Sequence, residues 1–323
     1  MSRGRACAAP PPGRRAVLGA LAGAALGAAG CSAGTARTAR ATPSPAPAQP
    51  RTTPWRPFPG EVEPAAKERA VRLVEAIGAW PDGHGGPAAA RSRIEALGLP
   101  AALVGQAGPL LPPADRAALQ VVFAQYGGIL PRSASVLVVC RQWLRRGGAL
   151  TPGGTTVDVR LSRGTHGWTV DALRPAHPGP AARALPASTR AALSDDRITL
   201  PPAADADLRG GRVHTSVAKA MRDLARTYRI DVSVVRSGHP LDVFGTSRPS
   251  DHPRGRAFDV WRIDGHAVAD PATPRALIER FMRDGAAAGS YNVGGPVLPS
   301  GGGPGLFFSD ATHHDHVHLG FRA

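Results

Sequence analysis

At 323 residues the chain has room for a leader, a linker and about two domains of roughly 100–150 residues each. Its formal charge of +15 and pI near 11.3 suit anionic surroundings, yet arginine carries nearly all of that charge, since Lys67 and Lys219 are the only lysines. No basic stripe interleaved with aromatics appears and aromatics are only 5%, which excludes nucleic acid as the expected partner and leaves an anionic cell envelope.

Arg3, Arg5, Arg14 and Arg15 precede an apolar run over residues 16–30 and then Cys31. This is the layout of a signal peptide, with a basic n-region, a short h-region and a small-residue cleavage site. The run is too short and too rich in glycine to span a bilayer as a mature helix. Ala28-Ala29-Gly30-Cys31 resembles a bacterial lipobox, with Ala28 where leucine is usual. The resemblance implies cleavage after residue 30, lipidation of Cys31 and anchoring to the outer face of the cytoplasmic membrane. Arg14-Arg15 fits twin-arginine export, and plain secretion with cleavage elsewhere is the alternative. Cys7 then leaves with the leader and Cys31 is acylated, so Cys140 alone remains and no intrachain disulfide forms. Cys140 ends an apolar run over residues 135–140 and reads as a buried structural thiol.

Residues 31–59 are mostly Ala, Thr, Pro and Arg without apolar periodicity, which reads as a tether. At about 3.1 Å per residue in a semi-extended state, it would reach roughly 80–90 Å. From residue 60 the pattern changes. Ala65, Ala66, Ala70, Val71, Leu73, Val74 and Ile77 recur at helical spacing, with Gly78 as a stop, and a shorter helix is expected over 88–97. Strands follow over 119–126, 134–143, 155–161 and 167–173, with Gly127-Gly128 and Gly153-Gly154 as turn signals. Two helices and then four antiparallel strands make an α+β accessory domain over 60–175, similar in element order to cystatin-like or NTF2-like domains. Trp143 and Trp168 read as core; His84 and His166 read as solvated.

A Pro/Ala-rich break over 175–186 marks the boundary to a second domain over 187–323. A helix over 187–193 capped by Ser188, an amphipathic helix over 213–228, strands over 230–235 and 256–263, a hairpin turn at Asp264-Gly265 and a helix over 274–283 are expected. The glycine-rich stretch 289–305 reads as a rim or lid, and the last strand as 315–321. The expected class is again α+β, around an antiparallel sheet flanked by helices.

Two motifs in this second half bear chemistry. His252 and Asp259 stand seven residues apart with Gly255 between them for a tight bend, and the tail reads Asp315-His316-Val317-His318. On a strand His316 and His318 face the same side. A catalytic zinc takes three protein ligands and leaves a fourth position for water, so these motifs read as one metal site. An engineered histidine tag is excluded, because tags do not interleave Asp, Val and Leu at strand period. His177, His214 and His266 read as solvated, His313 and His314 as loop residues, and His239 as a residue of the rim or one just behind the ligands.

Ser250, His252, Gly255, Ala257 and Asp259 resemble the Ser-x-His-x-x-Gly-x-Ala-x-Asp pattern of the zinc D-Ala-D-Ala carboxypeptidases and related LAS peptidases of the M15 group, whose core the hedgehog signalling domain shares. Residues 315–318 are similar to their Asp-x-x-His or His-x-His ending. The resemblance implies zinc held by His252, Asp259 and His318, Asp315 as general base, and His316 as stabiliser of the oxyanion. It implies peptidoglycan or cell-wall peptide as substrate, with membrane attachment through the lipid anchor. A catalytically silent, hedgehog-like binding lipoprotein is the alternative, and adhesion through residues 61–175 is a third reading. One departure stands out. The family shows an aromatic residue and then Arg after Ser-Gly, whereas Ser237-Gly238 is followed by His239-Pro240, with Arg236 and Arg248 as candidate substitutes.

Overall fold

α1 (Pro64–Gly78) forms where the apolar residues recur at helical spacing, opened by a proline whose missing N–H costs nothing in the first turn. In the computed structural model, which describes residues 48–322, Ala66, Ala70, Leu73, Val74 and Ile77 are completely buried. The signal peptide, the lipobox, Cys31 and the first part of the tether lie outside the described residues. α2 (Gly86–Glu95) and two short 3-10 turns, Ala101–Gln106 and Gly108–Leu110, lead into a meander. Its strands β1 (Arg116–Leu130), β2 (Ser133–Arg146), β3 (Ala149–Gly164) and β4 (Gly167–Pro175) pair antiparallel in chain order.

These strands outrun their sequence expectation because two glycine pairs taken for turns lie inside them. Gly127-Gly128 sits in β1, where the register shifts between Tyr126 and Gly128, the mark of a bulge. Gly153-Gly154 sits in β3. The β2–β3 reversal is made instead by Gly147-Gly148, both at positive φ as the favoured two-residue hairpin turn requires.

β2 explains the apolar run that contains Cys140. Val136, Val138 and Cys140 face α1, while Leu137 and Val139 face the other way onto Val234. A strand covered on both faces shows no alternation. The residues expected to form a free tether are also engaged here: Gln49 donates to the carbonyl of Trp143, Gln120 and Thr53 bond each other, and Trp55 packs on the first core.

The second half is built from shorter pieces: α3 (Ala187–Leu193), β5 (Ile198–Thr199), α4 (Pro202–Arg209), α5 (Thr215–Ala225), β6 (Ile230–Val234), β7 (Ala257–Ile263), β8 (His266–Ala267), α6 (Arg275–Ala287), β9 (Asn292–Gly294), β10 (Phe307–Phe308) and β11 (Val317–Gly320). They form a seven-stranded sheet in the order β10-β9-β11-β7-β6-β5, with β8 paired to β7. The central strands are antiparallel as expected, but the edge pairs β5–β6 and β9–β10 are parallel, so the sheet is mixed. Asp264 and Gly265 both take positive φ and make the expected hairpin. Ser188 does not cap α3, which starts after Pro186 without a side-chain cap; at α5 the ring of His214 accepts from the Ser216 N–H. The class is α+β. Both sheets belong to one compact unit, with Phe123 of β1 stacked on Trp261 of β7 at 4.9 Å.

Candidate metal centre

His252 lies in the turn between β6 and β7, and its bend depends on Gly255. At φ +69 that glycine sits where a Cβ would stand 2.2 Å from the Arg212 carbonyl oxygen, so no side chain fits. The His214 N–H donates to the Gly255 carbonyl and ties the turn to the start of α5. His252 is buried, and its Nδ1–H donates to the Val235 carbonyl at 2.8 Å. That bond fixes the tautomer and turns the Nε2 lone pair inward.

Asp259 on β7 is paired directly across from His318 on β11, so both side chains leave the sheet on one face. Asp259 Oδ1 lies 3.1 Å from His252 Nε2 and 3.0 Å from His318 Nδ1, and those two nitrogens are 3.1 Å apart. Three acceptor-capable atoms converge as a near-equilateral triangle. Tetrahedral coordination at about 2.0–2.1 Å sets ligand atoms about 3.3 Å apart, so the residues fit a zinc-sized ion. Burial works against ionisation of Asp259, yet the His252 and His316 imidazoles hold its carboxyl well below the usual range. Burial lowers His318 to about 4, with Asp259 pulling the other way. Its ring is therefore neutral and ready to ligate at neutral pH.

His239, expected at the rim or just behind the ligands, is a further donor. It stacks face to face on His252, with centroids 4.0 Å apart, and with His252 and Asp259 offers three donor atoms within reach of one ion. The triangle with His318 has the shorter distances and the cross-strand support, and it is the better ligand set.

The tail holds the second group. Asp315 and His316 precede β11 in an irregular turn, so their side chains are not bound to strand alternation. Asp315 is completely buried and both oxygens are engaged: Oδ1 accepts from His316 Nδ1 at 2.5 Å, and Oδ2 accepts from Lys67 Nζ at 2.6 Å and from the Tyr126 N–H at 3.2 Å. Against the effect of burial, Lys67 and His316 hold the Asp315 carboxyl far below its ordinary value. For His316, the Asp259 and Asp315 carboxylates outweigh burial and raise its pKa. His316, not Asp315, lines the cleft, so the expectation that Asp315 itself reaches the reacting atoms does not fit its placement.

Four residues of the first half reach this centre, and sequence reading missed all of them. Lys67 bonds Glu61 and Asp315, Gln125 Nε2 donates to Asp259 Oδ2 at 2.7 Å, and Tyr126 lends its N–H. Glu61, His314 and Asp315 resemble a second ion site, but the Lys67 ammonium already occupies the place of the cation. One signal was present in the sequence: in a chain that uses arginine for nearly all its positive charge, Lys67 stands on the apolar face of α1, in line with Val71 and Val74.

The centre opens into a cleft of about 680 Å³, walled by residues 126–130 on one side and by Phe244, Arg248, Tyr291, Phe308 and His313 on the others. Gly128 allows the closure, since a Cβ there would stand 2.0 Å from Phe244. Of the two candidate arginines, Arg236 faces away and donates to the carbonyls of His177 and Pro178. Arg248 is the single guanidinium on the cleft wall among the described residues. His313 and His314 are turn residues, as expected: His313 leans on Asp310, and His314 accepts from the Val62 N–H. His84, His166, His177, His214 and His266 are exposed. No family model, curated protein or solved structure matches the chain.

Proposed function

We propose that the chain is a zinc-dependent peptidase similar to the D-Ala-D-Ala carboxypeptidase and hedgehog-related group, carried on a lipid anchor at Cys31 and acting on peptidoglycan stem peptides. The observation that supports it is the triangle of His252 Nε2, Asp259 Oδ1 and His318 Nδ1, with sides of 3.0–3.1 Å at the floor of an open cleft. Zinc held by those three residues would supply a Lewis acid and lower the pKa of bound water towards ~7.

The chain's own residues divide the remaining work. His316 has its Nδ1–H held by Asp315, which leaves Nε2 as the atom that takes a proton and returns it to the leaving amine. Asp315 fixes the tautomer and stabilises the imidazolium without touching substrate. Arg248 binds a substrate carboxylate or polarised carbonyl through charge-assisted hydrogen bonds, the part the missing family arginine would play. Phe308 and the backbone of residues 126–130 confine the peptide.

The test is hydrolysis of D-Ala-D-Ala peptides and of peptidoglycan by the purified protein, with and without chelator. Chelation is expected to abolish turnover, and His316→Ala to lower kcat by about 10²–10⁴-fold at unchanged zinc content. Zinc-loaded protein that cleaves none of these substrates removes the enzymatic reading.

A second reading, a silent zinc-holding envelope protein, draws on His239. With that ring as fourth donor the ion would be closed in, as in structural sites. Tight stoichiometric zinc without hydrolysis, and zinc affinity lowered by His239→Ala, would select it.

A further inference from the structure

The carboxylate of Asp259 is shared. Oδ1 faces His252 and His318, whereas Oδ2 is turned towards the first sheet and receives Gln125 Nε2 at 2.7 Å. The amide orientation follows from chemistry, because the reversed amide would set Oε1 against a carboxylate oxygen, two acceptors in contact. Gln125 is completely buried on β1, on the face that also carries Phe123, and its own Oε1 has no partner among the described residues. A buried amide with one end unsatisfied weakens a core, and an apolar side chain of the same shape would serve the packing better. Its place is explained by what the satisfied end does.

We infer that Gln125 is a positioning residue of the metal centre: it binds one oxygen of Asp259 so that the other alone faces the ion, making the first sheet an integral part of the site. This rests on the metal reading above. Gln125 occupies the place of the outer partner that orients a ligating carboxylate. Lys67 does the same for the second carboxylate, holding Asp315 Oδ2 so that Oδ1 meets His316. Both carboxylates of the centre, Asp259 and Asp315, are therefore aimed by side chains from β1 and α1, which sit 134 and 248 residues away in sequence, respectively. Residues 60–175 are more than a spacer or platform.

The test uses the full chain, with zinc affinity read by competition with a chelating dye, the visible absorption of bound Co²⁺ as a geometric signature, and thermal unfolding of the metal-free protein as a measure of the fold. Gln125→Met is expected to bind zinc about 10–100-fold more weakly and to shift the Co²⁺ spectrum, with the thermal stability of the metal-free protein lowered because the buried Asp259 Oδ2 loses its donor. Gln125→Asn, which withdraws the amide by one methylene, should move affinity the same way and serves if the first variant does not fold. Gln142 is the control: it is a buried glutamine of the same sheet whose amide donates to the Gly78 and Leu110 carbonyls. Gln142→Met should lower stability and leave zinc affinity and the Co²⁺ spectrum unchanged. Unchanged affinity and spectrum in both Gln125 variants, with the parent binding zinc, overturns the inference alone. A parent chain that binds neither metal overturns the metal reading and the inference with it.

Discussion

The first sheet has four strands of 9 to 16 residues joined by tight reversals, and the second has seven strands of two to seven residues joined, apart from the tight β7–β8 turn, by helices and longer loops. The long meander holds its side chains in a repeating frame and buries both faces of β2. The short-stranded sheet delivers residues from turns and strand ends: His252 before β7, Asp315 and His316 before β11, His239 after β6. The candidate ligands come from the irregular half, whereas Gln125 and Lys67, which bond Asp259 and Asp315, come from β1 and α1 of the other half. The difference has a physical reason. A loop can bring several donors to one point, whereas a long strand in a packed sheet holds a single donor within a fraction of an ångström.

The strongest way to break this division is to remove a ligand. His252→Ala should abolish stoichiometric zinc, a larger loss than the ~10–100-fold expected for an outer partner. Equal metal content in this variant and the parent would remove the centre altogether. Next comes the ion cluster that joins the two sheets. Lys67→Met leaves Glu61 and Asp315 buried without their counter-charge and should cost about 3–5 kcal/mol in urea unfolding at neutral pH. A loss below ~1 kcal/mol would mean that this cluster contributes little to joining the two halves. Gly128→Ala drives a Cβ into Phe244 and should cost about 1–3 kcal/mol. Adding Phe244→Ala should recover part of that, and strict additivity of the two substitutions would show that β1 and residues 240–248 do not meet.

At neutral pH the smallest effect belongs to Cys140, whose thiol burial pushes up to about 12. The folded state holds that proton more tightly than the unfolded chain, where the thiol titrates near ~8.5. Its contribution is therefore complete below about pH 8.5 and is lost, at up to ~1.4 kcal/mol per pH unit, as pH rises towards 12. Parent and Cys140→Ala should lose stability at different rates above pH 9 and in parallel below pH 8. Alkylation by iodoacetamide at pH 8 should require denaturant.

Much of this was legible in the sequence. α1 declared itself through Ala70, Val74 and Ile77, and the β7–β8 hairpin through Asp264-Gly265; the three residues that the family resemblance grouped, His252, Asp259 and His318, lie side by side. Local rules are sufficient where a residue's role is set by its neighbours along the chain. They fell short at Gly127-Gly128, where glycine marks a close approach to Phe244 and not a reversal, and at α4, whose helix was not expected. They could not find the roles of Gln125 and Lys67, which bond Asp259 and Asp315 of the other half. The missing alternation in residues 135–140 was the clue that the first sheet had a second cover.

The order of strands also governs how the molecule comes into being. The meander can pair as soon as residues 116–175 are available, since every strand partners its neighbour in sequence. Until β6 and β7 arrive, its outer face presents Phe123, Leu137 and Val139 to water, a sticky intermediate. β11, the last described strand, must then slot into the middle of the second sheet between β9 and β7, a non-local closure that is slow by nature. Because that strand brings His318 opposite Asp259, ion capture would report that folding has finished.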